Sequence, residues 1–249
     1  QVCLSSFQLH WHVTEVDPTA PMIKVGRVAV TNLHEIDVVI KSSASISSKY
    51  ALIEFLEDTT GTTRSINLYS SNIVNNHSRN LTIFRMKNVE INKVYLSDTK
   101  INENVTLFER TDAKLEKLCF NNCVVKGSTF DLTDTTKINL SDCDFTISGD
   151  LNLSSAYVTI SGGYYRFLNM NVGSYESYPV SKIDINKAEF SGGNLNFTND
   201  ASEVDMPFFD NECKYNVNKI LLDKFNPTFS SSVICTNELT INNKKSSEF

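Results

Sequence analysis

From residue 118 onward the apolar positions of this chain repeat with a fixed internal spacing. Leu118, Phe120, Cys123 and Val125 set the pattern: two alternating apolar positions, two polar residues, a small residue, then a further apolar one. The spacing returns at Ile138, Leu140, Cys143, Phe145, at Val158, Ile160, Gly163, Tyr165, and at Ile183, Ile185, Ala188, Phe190. A fifth copy, Phe208, Asp210, Cys213, Tyr215, carries one polar lapse. Each copy is followed by a second alternating pair: Phe130/Leu132, Leu151/Leu153, Met170/Val172, Leu195/Phe197 and Ile220/Leu222. Weaker copies begin upstream at Ile66 and Val89, and a degenerate one begins at Val233, with Glu238 breaking its register.

Alternation with period two places one set of side chains on one face, so the pattern predicts strands. A unit of roughly 20–25 residues without a helical stretch cannot cover its own apolar face and must stack on its neighbours. In-register stacking of such units is a parallel β-solenoid, with rungs about 4.8 Å apart and about eight rungs between residues 61 and 249. The expected fold class is therefore all-β.

The chain changes character near residue 60. Only Asn32 of its 27 asparagines lies before that point, and glycine (9) and proline (5) are scarce throughout. Without Gly-rich hairpins, Asn and Ser are expected to make the corners, since Asn tolerates the left-handed conformation. Residues 1–60 are read as an N-terminal β cap or small attachment domain, and 61–249 as the periodic body. The alternating stretch Phe7–Val13 would supply a strand covering the end of the column, which otherwise exposes unpaired backbone.

A net charge of -6 and a pI near 5.3 argue against nucleic acid as the partner, because phosphate binding needs a concentrated Lys/Arg surface. No apolar run reaches the eighteen or so residues of a membrane-spanning helix, so no membrane insertion is expected. The first residues lack a basic stretch followed by an apolar one, so no signal peptide is predicted, and the absence of an initial Met suggests a processed chain or fragment. Of six cysteines, Cys123, Cys143 and Cys213 share the small inward position with Gly163 and Ala188, so packing explains them better than disulfides or zinc. Cys119 falls between inward positions and is expected to point outward, which would defeat chelation with Cys123. Reduced thiols imply assembly in a reducing cytoplasm before any release.

This rung pattern over roughly residues 61–245 resembles the right-handed parallel β-helix, pectin-lyase-like family. Irregular loops, Asn-rich bends and sparse glycine look most like the single-stranded β-helices of bacteriophage tailspikes and tail fibres. The acidic, Thr- and Ala-rich opening helix common in such domains is not found. The resemblance implies an extracellular, virion-borne homotrimer that recognises bacterial surface polysaccharide. Two other readings accompany it: a glycan depolymerase (hydrolase or lyase), and a non-catalytic structural or adhesive solenoid.

Candidate chemistry must lie on outward positions. Val124, Asp144, Tyr164, Glu189 and Lys214 occupy the same outward position in successive copies. Asp144 and Glu189 are thus expected two rungs apart, about 9–10 Å, near the roughly 6.5–9.5 Å separation of inverting glycosidases. Tyr164 between them would be a sugar platform, with Asp142 and Asp184 expected close by on the same face. A plain solvated sheet face suits the same residues. The loop 173–182 adds Tyr175, Glu176 and Tyr178 as candidate glycan contacts, or as packing against the wall or a neighbouring subunit. His10 and His12 share one face of the first strand without an evident third ligand, so no metal site is expected. Arg166 beside Asp184 lacks the acidic cage of a calcium-dependent lyase. No nucleophile elbow, P-loop, zinc-protease motif or dinucleotide fingerprint is present, and no cofactor is implied.

Overall fold

A computed structural model describes residues 2–4, 11–13, 21, 23–26, 30–40, 51–57, 64–78, 80–173, 182–199 and 206–242. Among them there are 23 strands and no helix. The strands pair in long parallel ladders, an arrangement consistent with a parallel β-solenoid. The chain divides into two compact units, Gln1–Phe130 and Asp131–Phe249.

In the first unit three strand columns run side by side in sequence. One stacks Val2–Leu4, Val30–His34, Arg64–Tyr69, Glu90–Ser97 and Lys114–Asn121. A second stacks Trp11–Val13, Asp37–Ile40, Asn72–Asn75, Lys100–Asn102 and Val124–Gly127. The third stacks Ile23–Val25, Ala51–Phe55, Leu81–Lys87 and Val105–Thr111. The strands before residue 60 thus pair in parallel with those that follow.

The second unit uses longer strands. Asp144–Ser161 pairs through its first part with Tyr164–Gly173, which continues to Glu189–Thr198, Lys214–Asp223 and Val233–Asn242. Its last residues pair with Lys182–Asn186, followed by Met206–Asn211 and Phe225–Ser230. A register shift between Ile147 and Asp150 opposes the shorter Phe167–Asn169 segment; an extra residue of this kind bends the strand.

The register aligns Val158 with Ile183 and Phe208, and Tyr165 with Phe190 and Tyr215, as the repeat predicts. Two outlying copies need correcting. Ile66 and Leu68 pair with Val94 and Leu96, so the upstream copy starts at Val94 and not at Val89. Phe208 pairs with Pro227 and Tyr215 with Ile234, so the last copy starts at Pro227, not Val233. In both places weak apolar matches a few residues away had imitated the pattern.

Corners between the first two strands of a rung follow one plan. The residue before the small position adopts a left-handed φ of 47–57° at Glu35, Ser70, Asp98, Asn122, Asp142, Lys187, Glu212 and Ser231. Three of these eight, Ser70, Asn122 and Ser231, are Asn or Ser and five are Asp, Glu or Lys, so the expectation that Asn and Ser build the corners holds only in part. A left-handed residue with a side chain costs roughly 1–2 kcal/mol. Its N–H meets a carbonyl of the next rung: Ser70 to Ser97 at 2.9 Å, Asp142 to Ser161 at 2.8 Å and Lys187 to Asn211 at 2.8 Å. That bond is available to any residue type, which frees the position from Asn.

The small residue then closes the corner from inside. Ser71 Oγ, Thr99 Oγ1, Cys123 Sγ, Cys143 Sγ and Cys213 Sγ each donate to the carbonyl two residues back, over 2.8–3.4 Å. Small donors recur at this position without being required there, since Ile36 and Ala188 fill it as well. Gly163 differs: at φ 89° after Gly162 at φ 69°, an added Cβ would lie 2.2 Å from the Cys143 carbonyl oxygen. Cys119, expected to point outward, is only 7% exposed, and burial pushes its thiol pKa up. It still alternates with the core residues Leu118 and Phe120; what the alternation could not show is that outward positions can be covered.

Asparagines are used along the strands instead. Asn152 donates to Asp131, Asn171 to Asn152 at 2.8 Å, and Asn196 to Asn171 at 2.9 Å. Beside that ladder Asn169 donates to Asp150 at 2.8 Å and Asn194 to Asn169 at 2.9 Å. Inside, Phe145, Tyr165, Phe190 and Tyr215 stack with centroid spacings of 5.7, 5.3 and 5.0 Å.

Candidate functional site

Alternation fixes which side chains leave the sheet. In the second unit Phe145, Tyr165, Phe190 and Tyr215 are buried, so their neighbours Asp144, Tyr164, Glu189 and Lys214 project outward. The register places those four in one column, in that order, as the repeat predicts. Tyr164 is 52% exposed. Two residues along each strand lie Thr146, Arg166, Ser191 and Asn216, again in register.

The polar groups of this face are already linked. Lys214 Nζ lies 2.6 Å from Glu189 Oε1, and that hydrogen bond and charge raise the lysine pKa. Asp144 Oδ1 accepts from Thr146 Oγ1 at 3.5 Å. The face continues into a groove of about 490 Å³ lined by Gly192, Asn216, Asn218, Cys235, Thr236 and Asn237. Glycine is required there: a Cβ on Gly192 or Gly193 would fall 2.0 Å from the carbonyl oxygens of Phe167 or Leu168. Asn237 Nδ2 donates to Asn218 Oδ1 at 3.0 Å, so amides form the wall.

Asp142 sits at the adjoining corner, but Asp184 does not join this face. It pairs in register with Thr159 and Phe209, across the Lys187–Ala188 corner from Glu189, and its carboxylate holds Lys182 Nζ at 3.1 Å. The corner turns the chain between the two strands, which linear spacing alone did not convey. That second face carries two exposed rings not anticipated as site residues, Tyr157 at 42% and Phe209 at 41%. Lys137 Nζ lies 5.6 Å from the Tyr157 ring and Lys182 Nζ 5.4 Å from the Phe209 ring. Both aromatics occupy outward positions of the repeat, so the register itself held the signal.

Tyr175, Glu176 and Tyr178 lie outside the described residues, as do His10 and the side chain of His12. His34 stacks on Tyr69 at 4.6 Å. Among the described residues no group of three or more His, Cys, Asp or Glu is arranged to hold a metal ion, and no helix is long and apolar enough to cross a membrane.

Parallel ladders, stacked core aromatics and asparagine ladders define the class: an all-β protein consistent with a parallel β-solenoid, with polar and aromatic residues in outward columns. Set against protein-family models, curated proteins and solved structures, the chain finds no match in any of the three.

Proposed function

We propose that this chain is a polysaccharide-recognising, right-handed parallel β-helix of the bacteriophage tailspike or tail-fibre kind. In this reading it folds in a reducing cytoplasm, acts as a homotrimer on the virion exterior, and binds bacterial surface glycan. The observation that carries the reading is Tyr164, half exposed on a sheet face, in one column with Asp144 and Glu189 and beside an amide-lined groove. Sugars present apolar C–H faces that stack on aromatic rings and hydroxyls that bond carboxylates and amides. The described cysteines are free, and four of the five are buried, which supports folding under reducing conditions.

Recognition is preferred to cleavage because Glu189 stands on an open face, its side chain 39% exposed and paired with Lys214 at 2.6 Å, whereas hydrolysis is favoured by a site enclosed from water. The test is calorimetric titration of the folded chain with purified capsular polysaccharides and lipopolysaccharides. Saturable binding to at least one is expected, weakened tenfold or more by Tyr164→Ala, with no rise in reducing ends on incubation. Folded protein that binds none of the panel overturns the reading.

A further inference from the structure

We infer that the glycan bound by this chain is acidic, and that the face bearing Tyr157 and Phe209 is the subsite for its anionic sugars. This rests on the polysaccharide reading above and gives it a substrate class. The face is built from the strand segment ending Asp144–Ser161 and from Lys182–Asn186, Met206–Asn211 and Phe225–Ser230, all parallel and in register. Inward Val158, Ile183 and Phe208 are buried, which sends Tyr157, Lys182 and Phe209 outward. The two rings lie two strand spacings apart and two residues offset along the strand, about 12 Å between their backbones, the reach of a di- to trisaccharide.

Large aromatic side chains left open on a strand face are the uncommon observation here. Tyr157 and Phe209 are each more than two-fifths exposed, although the interior of the same rungs buries aromatics fully. Each open ring also has an ammonium group beside it, Lys137 at 5.6 Å and Lys182 at 5.4 Å, within cation–π range. The ammonium lies over the ring in each case, so a pyranose that stacks there displaces the flexible lysine side chain to the rim of the sugar, where the equatorial substituents are. A carboxylate, sulfate or phosphate on that sugar then meets a positive charge, and a neutral hydroxyl gains less.

The other charged group on this face is Asp184, 3.1 Å from Lys182. Both partners of that pair are close to half exposed, and exposed pairs of this kind contribute little, so Lys182 can exchange Asp184 for a ligand anion. The remaining neighbours in register, Thr159, Asn186 and Thr228, are neutral donors and acceptors. The two faces thus differ in balance: Asp144 and Glu189 beside Tyr164 are matched by Arg166 and Lys214, whereas Lys137 and Lys182 beside Tyr157 and Phe209 meet only Asp184. Single-stranded nucleic acid also pairs stacking with charge, but two lysines on a chain of net charge -6 are far from a phosphate-binding surface.

The experiment uses the full chain and a uronic-acid-containing capsular polysaccharide, compared with the same preparation after chemical reduction of its carboxyl groups to hydroxymethyls. Reduction is expected to weaken binding at least tenfold. Lys137→Gln and Lys182→Gln are expected to weaken binding of the acidic form while leaving the reduced form unchanged, with Lys182→Arg retaining it. Tyr157→Ala and Phe209→Ala are expected to weaken both forms. These side chains are exposed, and circular dichroism confirms that each variant is folded. Equal binding of the two forms, or indifference to both lysine variants, overturns the acidic-glycan inference and leaves the polysaccharide reading standing. Binding of neither form by folded protein removes both. Preferential binding of an oligo-dT probe overturns the inference in favour of nucleic acid.

Discussion

The stack of Phe145, Tyr165, Phe190 and Tyr215 contains two tyrosines whose hydroxyls meet opposite surroundings. Tyr215 donates to the carboxylate of Asp210, which is buried and also accepts from Ser232 Oγ. Tyr165 is wholly buried, and among the described residues its hydroxyl has no hydrogen-bonding partner. Five residues before each aromatic, the register aligns Ile160, Ile185 and Asp210, so Tyr165 has an isoleucine where Tyr215 has its acceptor. An enclosed, unpaired hydroxyl costs roughly 1–3 kcal/mol, and a hydrogen bond to a charged group contributes about 1.5–3 kcal/mol. Tyr165→Phe should therefore stabilise the second unit by about 1 kcal/mol once the small void is allowed for. Tyr215→Phe should destabilise it by about 2 kcal/mol, a difference of about 3 kcal/mol between chemically identical substitutions in one column.

Urea unfolding followed by circular dichroism measures both, with unchanged m-values as the check that only stability moved. Asp210→Val extends the test, because it strands the Tyr215 hydroxyl. Combined with Tyr215→Phe it should recover stability, giving a coupling of about 2 kcal/mol between the two sites. The reasoning is refuted if Tyr165→Phe and Tyr215→Phe shift the midpoint in the same direction by similar amounts.

Thiol reactivity provides an independent check of burial. In a Cys3→Ser background, Cys235 alone of the five cysteines Cys119, Cys123, Cys143, Cys213 and Cys235 should alkylate rapidly in the native protein, and all five should do so in denaturant; a second fast thiol would show that one of the four buried positions is open. Burial pushes the Cys213 thiol up to about 11. Its folded pKa is raised, so the stabilisation it adds is complete below the ordinary thiol range and lost as pH rises through about 11; native Cys213 should stay unlabelled at pH 9. For the asparagine ladder, Asn171→Ala removes two side-chain hydrogen bonds and Asn196→Ala removes one. At about 0.5–1.5 kcal/mol each, the first should cost about twice the second in thermal or urea unfolding, and equal costs would deny the ladder a stabilising role.

What the sequence made legible was whatever depends on alternation. The inward set Val158/Ile160, Ile183/Ile185 and Tyr165/Phe190/Tyr215 follows from spacing alone, and so does the outward column of Asp144, Tyr164 and Glu189. Corner chemistry was not legible, because a left-handed residue whose N–H bonds the next rung can be Asp, Glu, Lys or Ser, leaving no compositional mark. Nor were the partners of the polar lapse at Asp210, the hydroxyls of Tyr215 and Ser232, since stacking across rungs brings Ser232 to it. Asp184 was assigned to the wrong face because a corner intervenes, and the exposed rings of Tyr157 and Phe209 were passed over among residues whose neighbours fill the core. Before residue 60 the copies have too few clear apolar pairs to reveal a period, yet the strands there pair with those of residues 64–87.

Each rung of the second unit bonds to the rung before it, and the two are joined by only about one turn's length of chain. The entropy of closing such a loop depends only logarithmically on its length, so every added rung faces nearly the same cost and finds a finished edge to settle on. Assembly can then follow the order of synthesis, each completed turn acting as the mould for the next. A chain halted at one of the left-handed corners would leave behind it finished turns, together with an open edge ready for the next one.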